Sequence, residues 1–117
     1  MRETLFRGKR IDDGVWAEGN LECFHLTDGT PICYVSVFGG KMNQVAPETV
    51  GQYTGLKDKN GKRIFEGDIM RNAGNVVEFC NGGFCVNGDS PLALWTKTEV
   101  IGNIHDNPEL LKEVKQP

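Results

Sequence analysis

Apolar residues along this chain come in short runs that are separated by turn-forming residues. The clearest run, residues 32–38, is rich in β-branched and aromatic residues and lacks glycine and proline, a composition typical of a β-strand. Asp-Gly at 13–14 and Asn-Gly at 60–61 lie between such runs, and both dipeptides favour tight hairpin turns because those turns require positive φ. Residues 27–31, which include Asp28 and Gly29, are predicted to form a further turn. The pattern predicts a mainly β protein of short strands and hairpins.

The weakest hydrophobic stretch marks a predicted division of the chain. Residues 41–50 contain few apolar side chains and include Pro47, which suits a connection rather than a central strand. We therefore expect two lobes, an N-terminal β lobe at residues 1–46 and a C-terminal lobe at residues 47–117.

The second lobe has the rhythm of a small SH3-like barrel. Gly67 permits a kink where a strand enters a tightly curved sheet, and Asp68 can accept hydrogen bonds from turn amides. Residues 92–95 and 99–104 are predicted to be the strands that close this barrel.

Only the C-terminal tail has a helical pattern. Asn107 can cap a helix, Pro108 suits its first position, and Glu109 favours the positive end of the helix dipole. Apolar residues at 110, 111 and 114 then share one face, which predicts one short helix of about two turns.

Composition limits the classes of function. The 117 residues suit one domain of two lobes. A formal net charge of −3 means that the chain as a whole is no binder of polyanions by its field alone. No apolar run approaches the length of a membrane span.

The 4 cysteines, Cys23, Cys33, Cys80 and Cys85, each lie in or beside an apolar run. Their spacings fit structural zinc patterns poorly. We expect reduced, half-buried thiols that pack as small hydrophobic groups, with a disulfide or a zinc site as the alternatives. The expected compartment is the reducing cytoplasm of a bacterial host.

A basic excursion is the candidate binding surface. It comprises Lys57, Lys59, Lys62 and Arg63, and Tyr53 just before it could stack on a base or on a partner's side chain. The alternative is a soluble hairpin tip with no ligand.

No catalytic constellation is visible, so we expect no enzyme, no cofactor and no metal. His25 and His105 have no obvious partner residues nearby in the sequence. Glu66 and Asp68 share a strand face and could bind a metal, although such pairs more often bind turn amides or face solvent. No small-molecule substrate and no membrane partner are inferred.

The aromatic residues could form an exposed groove, but core packing is the simpler account for most of them. With a small core and exposed strand edges, self-association is physically sensible.

Five segments carry a resemblance to a known family. Residues 6–16, 47–62, 64–69, 100–104 and 107–111 resemble the opening, the central signature and the close of the YopX-like phage and prophage proteins. The resemblance implies a phage setting, a C-terminal portion similar to SH3-type barrels, and assembly into homo-oligomers. It carries over no catalytic residues.

Two hypotheses of function follow. The first is a phage accessory module that binds protein, either itself or a phage or host protein, through strand edges or aromatic residues. The alternative is a nucleic-acid-associated module that uses the basic excursion at residues 53–63.

Overall fold

The computed structural model describes residues 5–37, 40–70, 75–80, 82–88 and 90–112, without the side chains of residues 111 and 112. The fold is mainly β, with two antiparallel sheets and almost no helix in the described part. The chain divides into two compact units, Met1–Tyr53 and Thr54–Pro117. The boundary expected from the sequence lies after residue 46.

The first unit is one antiparallel sheet with strand order β4-β3-β2-β1-β5. Its strands are β1 Phe6–Lys9, β2 Trp16–His25, β3 Pro31–Ser36, β4 Met42–Val45 and β5 Gly51–Lys57, the last of which runs on into the second unit. The predicted strand at 32–38 is β3, and its residue 38 lies outside the described residues.

Two hairpins of this unit turn as the sequence predicts. Gly14 has φ 73° between β1 and β2, and Gly29 has φ 90° between β2 and β3, a region that glycine enters without strain. The side chain of Asp28 accepts a hydrogen bond from the Thr30 N–H at 2.9 Å, which closes the second turn.

The connection predicted at residues 41–50 is wrong. Residues 42–45 form β4, which pairs with β3, and Pro47–Thr49 form a 3₁₀ helix. Backbone pairing holds β4, in which only Val45 is buried, so no alternation of apolar residues marked it. The Ala46 N–H donates to the Lys9 carbonyl at 2.9 Å, and the sheet curls until β4 meets the chain after β1.

Alternation along β2 and β3 places small and β-branched side chains inside this curl. Ala17, Cys33, Val35 and Val45 form the buried core of the first unit. Space is tightest at Gly19, where a Cβ atom would overlap the backbone carbonyl oxygen of Ser36. The close approach of β2 to β3 therefore requires glycine at this position.

The second unit contains a sheet of order β10-β9-β8-β7-β11, and β5 also pairs with β6. The strands are β6 Arg63–Phe65, β7 Asp68–Met70, β8 Asn75–Cys80, β9 Gly83–Val86, β10 Ser90–Pro91 and β11 Val100–Asn103. Its buried core consists of Ile64, Met70, Val77, Val86 and Leu92.

The strand predicted at residues 92–95 is wrong, since Leu92–Trp95 form a 3₁₀ helix. Leu92 is buried, whereas Leu94 is exposed. The indole N–H of Trp95 donates to the Ser90 hydroxyl at 3.0 Å, and the Trp95 carbonyl accepts from the Thr98 N–H at 3.0 Å. These local bonds favour a compact turn over an extended strand.

The predicted C-terminal helix is represented by one helical turn, α1 Glu109–Lys112. Its predicted continuation to residue 114 lies outside the described residues. No helix in the described part is long and apolar enough to cross a membrane.

The cysteines are paired, which corrects the prediction of reduced thiols. Disulfides join Cys23 to Cys33 and Cys80 to Cys85. Cys23 and Cys33 are direct register partners in β2 and β3, so strand pairing itself brings their sulfur atoms together. The paired cysteines no longer support the expectation of a reducing cytoplasm, and the compartment stays a prediction.

We expect Gly19→Ala to destabilise the first unit, because the new methyl group would push β2 away from Ser36. Overpacking of this kind costs about 1–3 kcal/mol, and each kcal/mol lowers the melting temperature by roughly 4–8 °C. The control is Gly83→Ala, where a Cβ atom would meet nothing within 4 Å. Equal melting temperatures for the two variants, measured by circular dichroism, would contradict the close approach.

Candidate binding surfaces

The basic excursion forms the tip of the β5–β6 hairpin in the second unit. Lys57, Lys59, Lys62 and Arg63 are all exposed there. Gly61 turns the chain with φ 82°, as Asn-Gly predicts. We call Lys57–Arg63 the basic tip.

A single buried carboxylate organises the basic tip. The side chain of Asp58 is 6% exposed. Its Oδ1 accepts the N–H groups of Asn60 at 2.8 Å and Lys62 at 2.9 Å, and its Oδ2 accepts the Val100 N–H at 3.0 Å. Asp58 thus closes the turn and also fixes it to β11.

Burial raises the pKa of Asp58, but hydrogen bonds from the backbone N–H groups of Val100, Lys62 and Asn60 lower it, with a smaller lowering from the Lys62 charge. The net pKa lies below the ordinary value of 3.8. The carboxylate is therefore charged at neutral pH. Its charge faces backbone amides inside the unit and not solvent.

Lys59 of the basic tip forms an ion pair. The Nζ atom of Lys59 lies 3.7 Å from a carboxylate oxygen of Glu99, and the Lys59 N–H donates to the Thr98 carbonyl at 3.1 Å. Exposed ion pairs of this kind contribute about 0–1 kcal/mol, so Lys59 can exchange Glu99 for another anion at little cost.

Tyr53 does not supply the stacking surface that the sequence predicts. Its side chain is only 7% exposed, and its N–H donates to the Leu5 carbonyl at 2.7 Å within the first unit. Alternation along β5 buries Gly51 and Tyr53 together. The structure thus leaves the four basic residues as the exposed part of the predicted site.

The possible metal pair of the sequence has a structural role in part. Asp68 is buried, and its Oδ2 accepts the Phe65 N–H at 2.7 Å. Glu66 is half-buried. In the turn after β11, the backbone N–H of His105 donates to the side-chain oxygen of Asn103 at 2.9 Å. Within the described residues, no group of three histidine, cysteine or acidic side chains has metal-binding proximity.

A surface that the sequence did not single out lies on the β2–β3 hairpin. The register pairs Phe24 with Ile32 and Glu22 with Tyr34, so these side chains share the outer face of the sheet. The ring of Phe24 stacks on that of Tyr34, with centroids 6.1 Å apart and planes at 19°. We call Phe24, Ile32 and Tyr34 the aromatic face.

The aromatic face contradicts core packing for one of its members, since Phe24 is 51% exposed. The Cys23–Cys33 disulfide lies on the opposite side of the same two strands. Period-two alternation around the two cysteines was the available signal, because it puts Phe24 and Ile32 on the face away from Cys33. The second unit also exposes Phe79, at 56%, beside Phe84.

We expect Asp58→Asn to destabilise the second unit by about 1–3 kcal/mol, because an amide cannot satisfy three backbone donors as a carboxylate does. A lowered pKa means that the native carboxylate stabilises the fold above pH 3.8 and loses this effect as the pH falls through the folded-state value. The difference from the natural protein should therefore be largest at neutral pH and shrink in acid. Thermal unfolding across pH tests this, with exposed Glu78→Gln as the control. A difference that is constant with pH would contradict the assignment.

Comparison with known proteins agrees with the resemblance in the sequence. A search of curated proteins finds no match. The crystal structure of protein EF1440 from Enterococcus faecalis is similar, with a TM-score of 0.58 and 24% identity over 95% of this chain and 99% of that one; at this identity the likeness concerns the fold alone. The family model described as YopX protein matches residues 6–112. Since that match spans most of the chain, the protein belongs to the YopX family.

Proposed function

We propose that this protein is a non-enzymatic protein-binding or self-assembling β module of a phage or prophage in a bacterial host. The single observation that carries the proposal is the aromatic face, where a half-exposed Phe24 stacks on Tyr34. Aromatic side chains that are exposed in the free protein are the typical anchors of protein interfaces.

The aromatic face is ready to bind before a partner arrives. The cross-strand disulfide fixes Cys23 against Cys33 directly behind it, and Phe24 is already in contact with Tyr34. Binding therefore requires little ordering of side chains, and less of the interaction free energy is lost to conformational entropy. A partner, whether phage, host or a second copy, would cover apolar surface at about 25 cal/mol per Å².

The proposal includes an SH3-like architecture for the second unit. It is supported by four consecutive strands, β7 to β10, that pair in chain order, and by β11, which returns beside β7 after a 3₁₀ helix. The phage setting and a homo-oligomer rest on membership of the YopX family, and the absence of an enzymatic activity rests on the sequence.

Replacing Phe24 tests the proposal. We expect Phe24→Ser to abolish a defined oligomer, or the capture of a specific partner from phage-infected cells, because it removes the exposed anchor. Mass measured by light scattering after size exclusion reports the first, and mass spectrometry of captured proteins reports the second. The control is Phe79→Ser, which removes a similarly exposed phenylalanine from the second unit. A monomer that captures nothing, or equal loss in both variants, would defeat the proposal.

A nucleic-acid-associated module is the second candidate. It is supported by the exposure of Lys57, Lys62 and Arg63 on one hairpin tip, while the acidic Asp58 between them points inward to backbone amides. Local positive charge is thus present despite the net negative chain.

Neutralising the basic tip tests this candidate. If Lys57, Lys59, Lys62 and Arg63 contact phosphates, affinity for single-stranded DNA falls as salt rises. Replacing all four with glutamine should make the slope of log affinity against log salt less steep by roughly 0.7 per contact. Fluorescence anisotropy at several salt concentrations measures the slope. The matched control replaces Lys41 and Lys97, which are exposed outside the tip. An unchanged slope would remove this candidate.

A further inference from the structure

Among the described residues, only half of one edge of β2 is paired with a strand. Residues Trp16 to Gly19 pair with β1 on that edge, whereas residues Asn20 to His25 pair with β3 on the other. Among the described strands, β2 lies between β1 and β3. Within the described part of the chain, the β1-side edge therefore carries no strand from Leu21 to His25.

Hydrogen bonds show which backbone groups face this edge. The Arg10 N–H donates to the Val15 carbonyl at 2.9 Å, in the same register as Gly8 with Ala17. Antiparallel strands bond through every second residue. The backbone N–H and C=O groups of the odd-numbered residues of β2 therefore point toward β1. Leu21, Cys23 and His25 continue that series.

The opposite edge agrees with this assignment. The Leu26 N–H donates to the Thr30 carbonyl at 2.9 Å, in register with the pair Phe24 and Ile32. Even-numbered residues therefore bond to β3. Cys23 and Cys33 have Cα atoms only 4.2 Å apart, the short spacing of a pair without mutual hydrogen bonds.

The half of β2 that pairs with β1 shows which side chains a neighbouring strand places there. On the outer face of the sheet, β2 presents Trp16 and Glu18, and β1 places Lys9 and Arg7 opposite them. The Arg7 guanidinium lies 4.6 Å and the Lys9 Nζ 5.8 Å from the centroid of the Trp16 ring, distances of cation–π contact. The unused half repeats an acid and an aromatic ring two residues apart, as Glu22 and Phe24.

We propose that Leu21–His25 is a β-augmentation site for an extended segment of a partner protein that has basic residues at two alternate positions. One basic residue would face Glu22 and the other Phe24, as β1 does in the paired half, while backbone groups of Cys23 complete the ladder. This inference rests on the proposed function and names the partner's chemistry. A second copy offering the same strand would bring another Glu22 instead of a cation.

Hydrogen exchange of the backbone amides in the full chain tests the site. The probe is a capped synthetic peptide, Thr-Arg-Val-Lys-Val-Thr, and the control peptide has glutamate in place of arginine and lysine. In the free protein, the amides of Leu21, Cys23 and His25 should exchange faster than those of Glu22 and Phe24. With the basic peptide at ten times its Kd, the first three should slow by about tenfold and the other two should not change.

Three outcomes would overturn the proposal. Slow exchange of Leu21, Cys23 and His25 in the free protein would mean that the chain itself covers the edge. Protection that grows with protein concentration and without peptide would assign the edge to a second copy. Equal protection by the acidic peptide would remove the selection for basic residues.

A charge reversal gives the matched variant. Glu22→Lys should weaken binding of the basic peptide about five- to tenfold, since it replaces an attraction across the strands by a repulsion. Glu78→Lys, on an exposed position of the second unit, should leave binding unchanged. If Phe24→Ser abolishes partner capture while the peptide protects no edge amide, the protein-binding function stands and this site is refuted.

Discussion

The first unit depends on one constraint, the antiparallel register of β2. A strand directs its side chains alternately to two faces and its backbone groups alternately to two edges. In β2 this places Ala17 in the core and Phe24 outside, and it gives one edge first to β1 and the other to β3. A shift by one residue would invert both the faces and the edges, and Gly19 resists such a shift because nothing larger fits against Ser36.

The second unit has a different organising element, the carboxylate of Asp58. It accepts three backbone N–H groups, two within its own turn and one from β11. A buried charge is tolerated when hydrogen bonds replace its hydration, and here they also join residues 42 apart in sequence. These hydrogen bonds also turn the Asp58 side chain of the basic tip inward. They therefore both stabilise the hairpin and leave its surface positively charged.

Local chemistry made the hairpins predictable. Gly14, Gly29 and Gly61 have the positive φ values that their turns require, and this preference belongs to the residue itself. Two predictions were wrong, one where a long-range pairing decides and one where local hydrogen bonds outweigh the apolar pattern. Residues 42–45 lack an apolar pattern and are a strand only because β3 pairs with them, and the apolar residues 92–95 form a 3₁₀ helix that local hydrogen bonds hold. Of the predicted site, four basic residues are exposed, but Tyr53 is buried.

The sequence by itself determined the β class, the main turns and membership of the YopX family, because each of these is written in residue types at fixed spacing. Only the tertiary structure decided that Cys23 meets Cys33, that Tyr53 is inside while Phe24 is outside, and that half of one edge of β2 carries no strand among the described residues. The physical reason is that a period of two tells which side chains share a face. It does not tell which face turns to the core or which edge is paired, since both depend on partners far away along the chain.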